Sequence, residues 1–160
     1  MRLLIAAIGK LKQGPERELF AHYLGRAEAI GRKLGLAPLS VIEVAESKAA
    51  AAKARIEAEA GALLAKLPPS HKLVCLDRGG DQLSSEEFAR ALARFRDDGA
   101  QGLAFLIGGA DGLGLAALFK ADLTLSLGPM TLPHGLARIV LAEQLYRAET
   151  ILAGHPYHRA

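Results

Sequence analysis

The sequence predicts an α/β fold in which a mostly parallel sheet is flanked by helices on both faces. Two patterns lead to this prediction: short, nearly uninterrupted apolar runs alternate with longer segments of helical periodicity, and such runs are typical of strands buried on both faces. The 160 residues are 51% hydrophobic and 23% charged, as in a single domain that buries its own core. In such folds the crossover connections are right-handed, and small ligands bind at the carboxyl ends of the strands.

The first half of the chain contains two predicted strand–helix pairs. Residues 3–8 form an apolar run long enough for a strand, and the segment 16–34 repeats apolar residues at helical spacing after a proline that suits a first helical turn. Residues 39–44 predict a second strand. The alanine-rich segment 48–67 predicts a second helix, which two consecutive prolines end.

The middle of the chain predicts a third strand and a third helix. Residues 73–76 form a buried strand, and residues 77–80 have the composition of a turn. Ser84 and Glu87 have the spacing of a capping box, which predicts that a helix begins there. Gly99 is placed to end that helix in a left-handed conformation.

The last third of the chain predicts two more strands, each followed by a loop of special composition. A fourth strand over 103–107 leads directly into a glycine cluster, and a short helix over 115–120 precedes a fifth strand over 123–127. The loop 128–133 contains two prolines, and a long helix over 134–152 follows it. This alternation of strands and helices favours a parallel sheet covered on both sides.

Composition and charge limit the classes of protein to which the chain can belong. The single cysteine, Cys75, lies in an apolar run and cannot form an intramolecular disulfide, as expected in a reducing compartment. The N-terminal apolar run is too short for a signal peptide and no stretch is long enough to span a membrane, so we predict a cytoplasmic protein. The net charge is +3, and residues 1–75 hold 12 Lys and Arg against 7 Asp and Glu. This excess is compatible with RNA as a partner, although many small basic proteins bind no nucleic acid.

The glycine cluster after the fourth strand is the first candidate site. Glycines at a strand end let a ligand approach the backbone closely, although they also make ordinary tight turns. A dinucleotide-binding fingerprint fits poorly because it begins five residues after the strand and no acidic residue ends the next strand. The sequence also lacks the Gly-Lys-Ser or Gly-Lys-Thr of a phosphate-binding loop. The proline-stiffened loop 128–133 is the second candidate, as either a ligand-binding loop or a rigid connection.

The C-terminal region contains several polar side chains with possible chemical roles. His155 and His158 have a possible metal-ligand spacing, but no cysteine or carboxylate cluster completes a site, so we predict no bound metal. A hydrolase triad lacks support because the sequence contains no nucleophilic serine motif. Glu143 and Arg147 are one helical turn apart, which predicts an ion pair on the helix surface.

Five segments of the chain occur together, in this order, in one known family. They read AIGKLK at 7–12, IGGADGL at 107–113, MTLPH at 130–134, EQLYRA at 143–148 and HPYHR at 155–159, with Arg138 between the third and the fourth. The ordered set resembles the RlmH-type (YbeA-like) members of the SPOUT RNA methyltransferases, essentially from end to end. Each segment alone is weak evidence, whereas the order of all five is specific.

The resemblance implies a fold and a reaction that the residue patterns alone do not show. A single domain over 1–160 would contain a C-terminal trefoil knot, with the knot and the cofactor site within about 103–152. The family transfers a methyl group from S-adenosylmethionine to N3 of pseudouridine 1915 in the 23S RNA of the large ribosomal subunit. It works as a homodimer on ribosomal RNA in the assembled ribosome, and the C-terminal segment of one subunit completes the partner's active site.

Carried over position by position, the resemblance implies two groups of site residues. The cofactor-binding positions are Leu76, Gly108, Gly109, Gly128, Pro129, Met130, Thr131, Leu132 and Pro133. The catalytic candidates are Tyr157, His158, Arg159, His134 and Arg138. Among them His158 is the candidate base for the N3 proton, because imidazole changes charge near neutral pH, although it could equally orient the base or hold a phosphate.

The chain departs from the family pattern at two places. Ala110-Asp111 stands where Pro-Glu or Ser-Asn commonly follows the paired glycines, and Gly128-Pro129 replaces variable residues of the cofactor loop. Backbone contacts to a cofactor would survive both changes, although the proline removes one amide donor. Alternative functions are the methylation of another RNA base, a non-catalytic ribosome-binding module and, more remotely, a nicotinamide-dependent oxidoreductase.

Overall fold

Five strands and five helices alternate along the chain in the computed structural model, which describes residues 1–159. The strands are β1 (Arg2–Ile8), β2 (Leu39–Val44), β3 (His71–Asp81), β4 (Gly102–Ile107) and β5 (Leu123–Leu125). The helices are α1 (Pro15–Leu34), α2 (Ala52–Lys66), α3 (Ser85–Asp97), α4 (Leu115–Leu118) and α5 (His134–Leu152). Each of the predicted elements is present, so the predicted alternation of strands and helices is confirmed.

The five strands form one parallel sheet. Their order is β2-β1-β4-β3-β5, and every neighbouring pair is parallel. The predicted α/β class with a parallel sheet is therefore confirmed. Because all strands run in one direction, their carboxyl ends meet at one edge, and the loops that follow β3, β4 and β5 lie side by side there.

Helices cover both faces of the sheet. Leu3 and Ile5 of β1 belong to a buried cluster with residues of α1, α3 and α5, whereas Leu4 and Ile8 belong to a second cluster with residues of α2 and α4. This alternation follows from the two-residue period of a strand. β4 is buried along its whole length, which explains its continuous apolar sequence.

The ends of α3 follow the signals in the sequence. The Ser84 hydroxyl accepts a hydrogen bond from the Glu87 N–H, and the Glu87 carboxylate accepts one from the Ser84 N–H, so the capping box is confirmed. Gly99 follows the helix with a φ of +81°. Its predicted left-handed conformation is confirmed as well.

The second helix is shorter than the sequence predicts. It begins at Ala52 rather than at residue 48. The preceding alanines favour a helix, but the carbonyls of Ala49 and Ala50 accept hydrogen bonds from the guanidinium of Arg55 instead. These side-chain hydrogen bonds therefore replace the helical ones that the local propensity favours.

The third strand is longer than predicted, and the predicted turn at 77–80 is wrong. β3 continues to Asp81, which pairs with Leu125 of β5 after an irregularity in the register. The Ser126 N–H donates to the Asp81 carbonyl at 2.9 Å. A Cβ on Gly80 would lie 2.6 Å from the Thr124 carbonyl, so glycine permits the close approach of the two strands. Residues 77–80 thus have the composition of a turn, but they continue β3 past the irregularity in its pairing with β5.

A glutamate is buried between α1 and α5. Glu149 of α5 has no exposed surface, and neither carboxylate oxygen has a hydrogen-bond partner within residues 1–159. One of these oxygens lies 2.7 Å from the position that a Cβ on Gly31 of α1 would occupy. Burial raises the pKa of Glu149 to about 9, so the carboxyl group is protonated at neutral pH.

Among the described helices, none combines the length and the apolar composition that crossing a membrane requires.

Candidate active site

A cavity of about 750 Å³ opens at the carboxyl edge of the sheet. Three segments line it: the end of β3, the glycine turn after β4, and the loop between β5 and α5. Its size is within the usual range for small-molecule sites. The cavity is thus located where the strand order of a parallel sheet places ligands.

The glycine turn after β4 brings backbone rather than side chains to the cavity. A Cβ on Gly108 would lie 2.5 Å from the carbonyl carbon of Gly112, so no larger residue fits unless the backbone moves. The Gly112 N–H donates to the Gly109 carbonyl at 3.0 Å, which closes the turn. Gly112 has a φ of +87°, which glycine adopts at no steric cost. A ligand can therefore approach this backbone closely.

The loop between β5 and α5 is shaped by a buried serine. The Ser126 hydroxyl accepts a hydrogen bond from the Gly128 N–H and donates to the Gly128 carbonyl, each at 3.2 Å. Within residues 1–159, the N–H groups of Met130, Thr131 and Leu132 donate to no protein acceptor. These three amide groups remain available to hydrogen-bond a ligand.

His134 and Arg138 follow this loop on α5, but only His134 reaches the cavity. The imidazole of His134 lines the cavity and lies 3.3 Å from the Cβ position of Gly9. The Arg138 guanidinium is fully buried and donates to the carbonyls of Ile8 and Gly9, at 2.6 and 2.7 Å, and to Glu43 at 2.7 Å. Arg138 therefore joins α5 to the end of β1 and does not line the cavity.

The C-terminal segment packs against α3 and α5, away from the cavity. The Tyr157 hydroxyl donates to Glu143 at 3.1 Å, and its ring stacks beneath the Arg147 guanidinium at 4.9 Å. Burial and the Glu143 carboxylate raise the pKa of Tyr157 to about 12, so its hydroxyl is a hydrogen-bond donor at neutral pH. Glu143 also accepts from Arg147, which confirms the predicted ion pair.

The remaining C-terminal candidates also lie outside the cavity. The Nε2 atom of His158 lies 2.7 Å from a carboxylate oxygen of Glu86, at the start of α3, and its Nδ1 has no partner within residues 1–159. Arg159 is exposed. Tyr157, His158 and Arg159 therefore do not meet the cavity of their own chain.

The structure brings nearly all of the expected cofactor positions together. The cavity is lined by Leu76, Gly108, Gly109, Gly128, Met130, Thr131, Leu132 and Pro133. Pro129 is exposed and does not belong to the lining. Of the catalytic candidates, His134 alone lies in the lining.

Three charged residues in the lining, Asp77, Arg78 and Asp111, were not identified as site residues from the sequence. Asp77 and Arg78 follow Leu76 on β3, and both face the cavity. The Asp77 carboxylate accepts a hydrogen bond from the Gly79 N–H at 2.8 Å. Asp77 and Arg78 were missed because residues 77–80 were predicted to form a turn. Their position at the carboxyl end of a central strand is the signal that could have revealed them.

A comparison with protein families decides the family of this chain. The sequence model described as "Predicted SPOUT methyltransferase" matches residues 1–158. The chain belongs to the SPOUT methyltransferase family. Two proteins named "Ribosomal RNA large subunit methyltransferase H", from Rhodopseudomonas palustris and Xanthobacter autotrophicus, are each 54% identical to it over 160 residues, which is 100% of both chains.

A solved structure extends the comparison of this SPOUT methyltransferase to the fold. A probable methylase family protein from Haemophilus influenzae matches with a TM-score of 0.50 and 14% identity, covering 99% of this chain and 70% of that one. At this identity the likeness concerns the fold alone. Within residues 1–159 of the SPOUT chain, no group of three or more His, Cys, Asp or Glu side chains is arranged to hold a metal ion.

Proposed function

We propose that this SPOUT methyltransferase methylates N3 of pseudouridine 1915 in the 23S RNA of the large ribosomal subunit. The observation that carries the proposal is the full-length identity of 54% to proteins named ribosomal RNA large subunit methyltransferase H. Two of the five segments that carry the family resemblance, 107–113 and 130–134, also line one cavity. We place the enzyme in the cytoplasm, where its substrate would be.

The cavity fits S-adenosylmethionine as the methyl donor. The free N–H groups of Met130, Thr131 and Leu132 can hydrogen-bond an adenine edge, and the turn at Gly108 and Gly109 admits a ligand close to the backbone. Asp77 adds a carboxylate to the same lining, which suits a cationic ligand. We place the cofactor site, together with the trefoil knot, within 103–152, with Leu76 contributed by β3.

The protein must align the nucleobase and remove a proton. S-adenosylmethionine supplies an electrophilic methyl group: the N3–carbon bond forms, the sulfur–carbon bond breaks, and N3 loses its proton. Alignment of two reactants in an enzyme site can lower a barrier by about 7–11 kcal/mol. His158 is our candidate to accept the N3 proton, and Tyr157 and Arg159 would orient the base and the RNA backbone.

A homodimer would reconcile the positions of these two groups of residues. Tyr157, His158 and Arg159 do not contact the cavity of their own chain, whereas a second copy could bring its C-terminal segment to that cavity. In that arrangement His134 of one subunit and the tail of the other would line the same cavity. Each of the two active sites would then consist of residues from both subunits.

A methyl-transfer assay on ribosomes tests the proposed function. Labelled S-adenosylmethionine is incubated with ribosomes that lack the modification, and in parallel with ribosomes that carry uridine instead of the target pseudouridine. We expect label only in the pseudouridine-containing particles. Cofactor binding without label in either sample would indicate another RNA base or a non-catalytic binding module. If the protein bound no S-adenosylmethionine, the proposed methyltransferase activity would be excluded.

The first residue-level prediction concerns the candidate base. We expect His158→Ala to reduce methyl transfer at least about tenfold, because loss of a general base typically costs that much or more, while cofactor affinity stays within about threefold. The measurements are single-turnover methylation of ribosomes and calorimetric titration with S-adenosylhomocysteine. His22→Ala, at an exposed histidine of α1, is the matched control. Unchanged turnover of the His158 variant would remove this residue from the mechanism.

The second prediction concerns the shared site. We expect the protein to be a dimer at micromolar concentration by sedimentation. A mixture of refolded His158→Ala and Gly108→Ala chains should be more active than either variant alone, because the mixed dimer contains one site with an intact cavity and an intact tail. An active monomer, or the absence of recovery in verified mixed dimers, would contradict the shared site.

A further inference from the structure

Arg55 of α2 connects two segments at the rim of the cavity. Its Nε and one terminal nitrogen donate to the two carboxylate oxygens of Asp111, at 2.7 and 3.2 Å. Its other terminal nitrogen donates to the carbonyls of Ala49 and Ala50, at 3.1 and 2.8 Å. Asp111 belongs to the glycine turn, and the two alanines belong to segment 46–51 between β2 and α2. One guanidinium thus holds the glycine turn and segment 46–51 together.

Glu59, one helical turn further along α2, makes a second connection between the same segments. Its Oε1 accepts a hydrogen bond from the Ser47 N–H at 2.9 Å. Its Oε2 has no partner within residues 1–159 and lies 2.7 Å from the position of a Cβ on Gly109. Glu59 is only 6% exposed, and this oxygen is buried against the back of the glycine turn.

Segment 46–51 also extends towards the other side of the cavity. A carboxylate oxygen of Glu46 lies 3.1 Å from the Cβ position of Gly9, the same position that the His134 imidazole approaches at 3.3 Å. One end of the segment therefore lies beside His134. The other end is connected to Asp111 through Arg55. Among the described residues, these contacts connect segment 46–51 to the two sides of the cavity.

We propose that Arg55 and Glu59 are positioning residues that hold the glycine turn in the conformation that binds the cofactor. The proposal rests on the function proposed above, because it assigns the support of the same cofactor cavity. Neither side chain lines the cavity, whereas Asp111 does. Arg55 therefore acts through Asp111, and Glu59 acts through the turn at Gly109.

The expected effect is on affinity rather than on chemistry. Without Arg55, the turn is ordered in a smaller fraction of molecules, and the apparent dissociation constant rises by the inverse of that fraction. We expect Arg55→Ala to raise the dissociation constant for S-adenosylhomocysteine about five- to tenfold, which corresponds to ordering in about one molecule in five to ten. The turnover number at saturating S-adenosylmethionine should stay within about twofold of the wild type, since uniform binding alone is lost.

The test combines calorimetry with amide hydrogen exchange. Arg55→Ala, Asp111→Ala and the double variant are titrated with S-adenosylhomocysteine, and exchange is followed in residues 46–51 and 108–113. The double variant should bind no more weakly than Arg55→Ala, because the contact with Asp111 is already lost in that variant. Arg32→Ala is the matched control: it breaks a 2.7 Å ion pair with Glu28 on α1, and binding should not change.

The outcomes distinguish this proposal from the proposed function. Faster exchange in both segments with weakened binding supports the positioning role. Binding and exchange within about twofold of the wild type in Arg55→Ala would overturn it, since no ordering would then depend on this residue. If Arg55→Ala does not fold, Arg55→Lys replaces it, because a lysine cannot make the four contacts at once. If the wild type binds no S-adenosylhomocysteine, the proposed function fails, while exchange still reports whether Arg55 orders the two segments.

Discussion

Replacing Gly108 with alanine is expected to weaken cofactor binding at least about 50-fold while the chain still folds. The new Cβ would lie 2.5 Å from the Gly112 carbonyl carbon and 2.7 Å from the Leu113 nitrogen. Both neighbours are backbone atoms, so they can move only if the turn opens. We expect the dissociation constant for S-adenosylhomocysteine to rise at least about 50-fold, equivalent to about 2.3 kcal/mol. Calorimetric titration measures this change, and methyl transfer should fall in parallel at limiting cofactor.

A glycine outside the site provides the control for this experiment. A Cβ on Gly61 of α2 would meet no atom within 4 Å, so Gly61→Ala adds the same methyl group without a clash. Alanine is about 1 kcal/mol more favourable than glycine within a helix, so this variant should be slightly more stable and bind normally. Wild-type affinity in Gly108→Ala would show that the turn is not the cofactor-binding backbone.

Replacing Glu149 with glutamine is expected to stabilise the protein at neutral pH by about 3 kcal/mol. In the folded state burial raises the pKa of Glu149 to about 9, from an ordinary value of 4.5. Between these two values the folded chain binds a proton that the unfolded chain has released. The free energy of unfolding therefore falls by about 1.4 kcal/mol for each pH unit of rise across this interval. A glutamine has no such proton and removes this slope.

Urea denaturation from pH 5 to pH 8.5 measures this effect. The stability difference between Glu149→Gln and the wild type should be small at pH 5 and should widen steadily as the pH rises. Glu57→Gln, at an exposed position of α2, should follow the wild type throughout. A constant difference over this range would show that Glu149 is ionised in the folded state.

The sequence predicted most of the fold because the strands and helices follow local patterns. Apolar runs such as 103–107 correspond to strands buried on both faces, and the Ser84 capping box fixed the start of α3 correctly. β3 was predicted too short because the residues at 77–80 favour turns locally. Their pairing with β5 depends on a strand about 40 residues further along, which no local pattern reports.

The candidate site was predicted less completely than the fold. The family motifs located the glycine turn and the loop before α5, and both line the cavity. They did not reveal that Arg138 is a buried connection to β1, or that Arg55 and Glu59 support the turn from behind. These roles arise from contacts between residues far apart in sequence. A motif records residue types but not the partners that the fold gives them.

The burial of Arg138 has a consequence for the order of folding. Its hydrogen bond to the Ile8 carbonyl joins residues 130 positions apart, and contacts of such high sequence separation slow folding because the chain loses entropy before it gains them. During translation, β1 emerges first but meets β4 and α5 only when most of the chain has been synthesised. The cavity is therefore assembled in the final stage of synthesis. An enzyme that we propose to modify ribosomes thus acquires its own active site only as its translation ends.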